Sequence, residues 1–301
     1  MNLIKPNTFI IGAQKSATTS VYNWISQHPS VCGPSALKDY PFFLKEEFFD
    51  KGIESLQEEY NTQGFNNQKI VLQGNVQYIF DVKAIKKIYD FNPKAKLICV
   101  LREPSERALS AYKYFKKLNI EKLTFKEALN REEERSRNSL QAYFDFTYKA
   151  HGMYAQQLKA IFNIFPKNQL LVLLYDDVKS SPESVMDEIF DFLELSDKHP
   201  ITYTTLNATG EVRYKFFQNL FFNKSKARKF IVDNLIDPFF PLHKRTKIRW
   251  AFNEWNTKKV NSKDVHAADY TEEIMKLKVY FKNEVIELEN LLNRDLAAWK
   301  Q

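Results

Sequence analysis

The sequence predicts an α/β fold, a central parallel β-sheet flanked by helices. Four short apolar runs rich in strand-forming side chains stand out: TFII (8–11), IVLQ (70–73), LICVL (97–101) and LLVLL (170–174). Each is followed by turn chemistry and then by a helical pattern, the order expected of parallel strands joined by helical crossovers. The chain has 301 residues, 44% of them hydrophobic, so it can build a full core without staples. A single domain over 1–301 is expected, with the basic, aromatic stretch 214–270 packed on it as helices and loop.

The elements follow in order. After the first run comes GAQKSATTS (12–20), a loop leading into a helix. After the third run, Pro104 falls where a helix begins, and after the fourth, Ser181 can cap a helix with Pro182 at its first position. Near the end, Ile274, Leu277, Phe281, Val285, Leu288 and Leu292 recur at three- and four-residue spacing. Thr271 precedes them as a cap, with Glu272 and Glu273 favourable in the first turn. There is no internal repeat.

Composition narrows the function. Only Cys32 and Cys99 occur, with no disulfide framework and no zinc spacing, which suits a reducing compartment. Residues 1–6 run almost at once into the first strand without a signal-like segment, and no apolar stretch has membrane-spanning length, so a cytoplasmic protein is expected. The net charge of +7 favours an anionic partner. The basic residues are not tied to a nucleic-acid motif, so no nucleic acid is expected.

A strand, a loop and a helix in succession aim backbone N–H groups and the positive helix end at one point, which is a phosphate site. A Walker A loop needs its lysine and hydroxyl side by side at the helix start. Here Lys15 comes only three residues after Gly12, followed by Ser16, Thr18, Thr19 and Ser20, and no strand ends in a clear metal-binding aspartate. An ATP- or GTP-using P-loop kinase is therefore the weaker reading.

GAQKSATT resembles the 5′-phosphosulfate loop of sulfotransferases, the enzymes that use 3′-phosphoadenosine-5′-phosphosulfate (PAPS), approximately G-x-x-K-[SGA]-G-T-[TS], with Ala17 where glycine is usual. The resemblance implies a P-loop-like nucleotide-binding sulfotransferase fold. PAPS would be held by Gly12, Lys15, Ser16, Ala17, Thr18, Thr19 and Ser20, with Lys15 also stabilising the departing phosphate and no metal required. LICVLREPSERALSAYKYF (97–115) is similar to the family's 3′-phosphate stretch, which assigns that phosphate to Arg102 and Ser110 and leaves Arg107 a structural residue. LNATGEVRYKF (206–216) looks like a late nucleotide-closing loop, adding Gly210 and Arg213.

ALKDYPFF (36–43) resembles the K-E-x-H-F-F stretch of glycan-modifying members, such as the heparan sulfate enzymes. It puts Asp39 at the place of the catalytic base, with Pro41 replacing the histidine and Phe42 and Phe43 as core residues. In LQGNVQYIF (72–80), Tyr78 matches the family, Gln73 replaces an acid, and Gly74 stands where the heparan sulfate enzymes carry a lysine, which points to a different acceptor. Of the histidines, His28 reads as a cap or packing residue and His151 as the runner-up base; His199, His243 and His266 lie in polar stretches without metal spacing. The resemblance implies sulfuryl transfer from PAPS to an acceptor hydroxyl on a saccharide. Sulfation of a small natural product on oxygen or nitrogen is the alternative.

Overall fold

The computed structural model describes residues 3–204, 210–212, 240–259 and 270–300; Arg213, His266 and most of the 214–270 stretch lie outside them. Five parallel strands, β1 (Thr8–Gly12), β2 (Val31–Cys32), β3 (Ile70–Gly74), β4 (Lys96–Leu101) and β5 (Leu170–Leu174), form one sheet in the order β2-β3-β1-β4-β5. The four predicted strands are all present. The fifth, β2, is a two-residue edge strand, too short to leave a pattern in the sequence. A separate antiparallel pair joins Gly210–Val212 to Thr257–Lys259.

The strands read as unbroken apolar runs because helices cover both faces of the sheet. Phe9, Ile11, Val71, Leu97 and Cys99 enter one core cluster, and their neighbours Ile10, Leu72, Ile98 and Val100 enter the other. The second cluster is closed by the helices Thr18–Ile25 and Pro182–Phe192, through Val21, Ile25, Met186 and Ile189. The first lies under the helices Val82–Phe91, Pro104–Lys117, Tyr154–Phe162 and Thr271–Leu292. Leu277, Phe281, Val285 and Leu288 are the buried stripe of the last of these, as their spacing predicts.

Helix starts differ from expectation in two places. Ser181 stands at the cap position, but its side chain makes no capping bond; the Pro182 ring already sets the entry. Thr271 is the first helical residue and not the cap, which is Tyr270, although Glu272 and Glu273 do occupy the first turn. At the Pro104–Lys117 helix the proline is where it was expected, and Glu103 caps it by accepting from the N–H groups of Ser105 and Glu106. That helix start is also clamped: a Cβ on Gly152 would stand 2.7 Å from the Phe281 ring and 2.9 Å from Pro104 Cβ, so only glycine lets the three segments meet. Among the described residues, no helix is long and apolar enough to cross a membrane.

Candidate active site

The central strand β1 has β3 on one side and β4 on the other, so the chain's crossovers diverge around it and leave a crevice at the carboxyl ends of β1 and β4. The loop after β1 is tied to β4 by the Ala13 N–H, which donates to the Val100 carbonyl at 2.8 Å. A Cβ on Gly12 would stand 2.4 Å from Ile79 Cγ2, so glycine is what lets the loop turn under the 75–80 segment. Lys15 and Ala17 both take left-handed backbone, at φ 68° and 61°. Ala17 is the cap residue of the Thr18–Ile25 helix and has no side chain to offer, so the first N–H groups of that helix receive no side-chain cap. Ser16 is fully buried, and its hydroxyl has no partner among the described residues. An uncapped helix start beside an unanswered hydroxyl can accept an anion.

Cations gather over this loop. The Lys15 ammonium lies 4.2 Å from the centre of the Tyr114 ring. Burial, then the Lys117 and Arg102 charges, push it down to about 8, with only the Asp39 carboxylate opposing them. Arg102 follows β4 directly. Its guanidinium stacks on the Tyr175 ring at 4.6 Å and pairs with Glu106 at 2.9 Å, while its carbonyl accepts from the Tyr154 hydroxyl at 3.0 Å. Ser110, half-buried two turns along the helix, is followed by Tyr114 and Lys117 at spacings of four and seven, which put all three on one helical stripe. Arg107, on the same helix, is fully buried and donates to the Tyr148 carbonyl, a structural place as expected.

Asp39 approaches from the other side of β1. Residues 38 and 39 run beside the end of β3: Lys38 bridges to Gly74, and the Asp39 N–H donates to the Gly74 carbonyl at 2.7 Å. A Cβ on Gly74 would stand 3.1 Å from the Ile10 carbonyl oxygen, so glycine there has a backbone reason besides any bearing on the acceptor. The Asp39 carboxylate is half-exposed, and its Oδ1 accepts from Lys38 Nζ at 2.6 Å and from the Val76 N–H at 3.4 Å. The Lys38 side chain is only 4% exposed. Among the described residues Oδ2 takes no donor, which leaves it open to an incoming group. Asp39 also has left-handed backbone, φ 66°, a conformation aspartate tolerates better than longer side chains do.

Other expected residues fall into the core or elsewhere. Tyr78, Phe42 and Phe43 are buried together, with the Phe43 N–H donating to the Tyr78 hydroxyl at 3.5 Å. His28 is a packing residue: Nδ1 accepts from the Ser30 N–H, and Nε2 meets the Asp197 carbonyl. His151 is buried, stacked on Phe80 and bonded to the Phe144 carbonyl; burial and the Arg107 charge push it down to about 3, which leaves it a very weak base. Gly210 sits in the antiparallel pair opposite Lys259, and Arg213 lies outside the described residues. The sequence reading missed Lys38, Tyr114, Lys117 and Tyr175 as site neighbours. For Tyr114 and Lys117 a signal existed, the helical spacing from Ser110.

Known proteins share this arrangement of strand, loop and helix. A family model described as a sulfotransferase domain matches residues 5–231. Among curated proteins, human bifunctional heparan sulfate N-deacetylase/N-sulfotransferase 3 is 27% identical over 195 residues, covering 62% of this chain and 22% of the relative. The chain therefore spans about a fifth of that relative's length. Human heparan sulfate glucosamine 3-O-sulfotransferase 5 is 27% identical over 262 residues, covering 84% of this chain and 70% of the relative. Among solved structures, a sulfotransferase from Alicyclobacillus acidocaldarius superposes with a TM-score of 0.67 at 25% identity, covering 99% of this chain and all of that one.

The left-handed cap makes a test of the loop. Glycine carries no Cβ penalty there, so Ala17→Gly should raise unfolding stability by about 1 kcal/mol. Urea unfolding reads the change, and a loss of stability would contradict the strained-cap account.

Proposed function

The chain belongs to the sulfotransferase family, and from that premise we propose that it transfers the sulfuryl group of PAPS to an acceptor hydroxyl, most fittingly on a saccharide. The observation that carries the reading is the Lys15 ammonium held on the Tyr114 ring beside an uncapped helix start and the unanswered Ser16 hydroxyl, with Arg102 following the neighbouring strand. A donor with negative charge at two separated ends suits that set of groups. The unanswered Ser16 hydroxyl, the free N–H groups of Thr18 and Thr19, and Lys15 suit its 5′ end, with Gly12, Ala17 and Ser20 shaping the loop. Arg102, already steered by Glu106 and Tyr175, and Ser110 suit its 3′-phosphate. Gly210 and Arg213 remain candidates for a loop closing over the nucleotide.

When bound, PAPS supplies a sulfuryl group on a phosphate that is ready to leave. Lys15 neutralises charge gathering on the departing phosphate oxygen, a role that needs no metal. Asp39 Oδ2 takes the proton of the attacking hydroxyl, while Lys38 and the Val76 N–H hold Oδ1 and so fix the carboxylate's orientation. The saccharide reading draws on the resemblance of residues 36–43 to glycan-modifying enzymes and on the printed activities of the relatives. Pro41 and Gly74 depart from that pattern and favour, as a second reading, a small-molecule acceptor sulfated on oxygen or nitrogen.

The donor reading sets an order of affinities. The protein should bind 3′,5′-adenosine bisphosphate much more tightly than AMP, because a hydrogen bond to a charged group contributes roughly 1.5–3 kcal/mol. Arg102→Ala should narrow that gap, as calorimetric titration would read. Equal affinity for both nucleotides in the unaltered protein would remove the donor reading and favour a kinase.

Asparagine accepts left-handed backbone as aspartate does and keeps an oxygen for Lys38 Nζ, so Asp39→Asn should fold with some loss of stability from the lost charge. Transfer of labelled sulfuryl to heparan-type oligosaccharides should fall roughly 10²–10⁴-fold in that variant, with bisphosphate affinity unchanged. Full activity would move the base elsewhere.

A further inference from the structure

The Pro104–Lys117 helix carries three lysines on its last turns, and two of them are accounted for. Lys113 lies over the Tyr270 ring at 5.2 Å, and Lys116 donates to the Lys122 and Leu123 carbonyls at 3.1 and 3.0 Å. Lys117 makes no hydrogen bond or ion pair among the described residues, although it is half-buried. A lysine in a last turn commonly extends into solvent or answers the helix carbonyls. This one is half-buried instead. It lies on the stripe of Ser110 and Tyr114, and Tyr114 carries the Lys15 ammonium on its ring. Of the cations that depress Lys15, Lys117 acts more strongly than Arg102.

These placements order the groups along the helix. Seven residues separate Ser110 from Lys117, about 10 Å of helix rise, which is too far for both to serve one phosphate. Tyr114, whose ring carries the Lys15 ammonium, lies between them on the helix. If Ser110 and Arg102 take the 3′-phosphate and Lys15 the 5′-phosphate, Lys117 falls beyond the 5′-phosphate, where the transferred group would sit. We infer that Lys117 is a sulfuryl-side cation, whose ammonium binds the terminal sulfonate oxygens of the donor beside Lys15. This rests on the PAPS reading of the site.

The terminal group is what distinguishes the donor from the product nucleotide, so binding can test the inference without any acceptor. Affinities for PAPS and for 3′,5′-adenosine bisphosphate are measured by calorimetry in the unaltered protein and in Lys117→Ala, Lys117→Gln and Lys117→Arg, with melting temperature as the check on folding. PAPS affinity should fall roughly tenfold to a hundredfold in the alanine and glutamine variants, the scale of removing one charge-assisted hydrogen bond, and return in part with arginine. Bisphosphate affinity should change less than about threefold, since Lys15 and Arg102 remain. Equal losses for both ligands, or no loss for PAPS, would overturn the inference while leaving the PAPS reading intact. An unaltered protein that binds AMP as tightly as the bisphosphate would overturn the PAPS reading and this inference with it.

Discussion

The burial of Lys15 among like charges is the constraint around which the rest of the structure makes sense. Burying an ammonium costs free energy, and adding Lys117 and Arg102 nearby costs more. Among the described residues, Asp39 acts in the other direction. A cluster of this kind weakens the free protein and is relieved when a polyanion arrives. Its parts are held by firm structure: β1 and β4 deliver Lys15 and Arg102 to one crevice, and the Tyr114 ring receives the Lys15 ammonium. The two helix starts at this crevice are treated differently. Glu103 closes the start of the Pro104–Lys117 helix with a carboxylate, whereas Ala17 leaves the Thr18–Ile25 helix open. The open end faces the loop that carries Lys15.

The Asp39 side of the crevice has its own logic. Asp39 is one methylene shorter than the glutamate of the glycan-modifying pattern, and its left-handed backbone is one that aspartate adopts at modest cost. The buried Lys38 ammonium and the Val76 N–H both claim Oδ1, so the carboxylate is oriented by its own neighbours before any acceptor binds. Gly74 completes this corner by letting β3, β1 and the 38–39 segment approach one another closely. Any side chain at 74 would press its Cβ within 3.1 Å of the Ile10 carbonyl oxygen, a tight contact that favours glycine there.

Much of this was legible in the sequence. The four main strands are buried on both faces, and such strands announce themselves as continuous apolar runs. The loop and the Arg102–Ser110 stretch resemble family motifs because their residue types recur at fixed local spacing, and the structure sets them at the ends of neighbouring strands. What escaped depends on contacts between distant segments. The two-residue β2 exists through pairing with β3, and the Lys38 backbone is placed by its bridge to Gly74, 36 positions away. Lys117 gains its meaning only when its helix is laid against residue 15. Ala17 was visible as a departure, but its left-handed backbone belongs to the folded loop. Ser181 and Thr271 show the limit at the finest scale, since a residue type suited to capping does not fix which backbone position it takes.

The account centres on a partly neutralised lysine that regains its proton when an anion binds, and calorimetry can measure that proton. With Lys15 near 8 in the free protein, about half the molecules lack the proton at pH 8, and the bound anion should raise the group well above that pH. Titration of 3′,5′-adenosine bisphosphate at pH 8 in buffers of different ionisation enthalpy should therefore show uptake of about half a proton per site. The Lys15 contribution to uptake should vanish near pH 6, where Lys15 is already charged and the ligand's phosphates titrate instead, and affinity should fall as pH rises through about 8. Binding with no proton uptake at pH 8, and an affinity flat from pH 7 to 9, would contradict it.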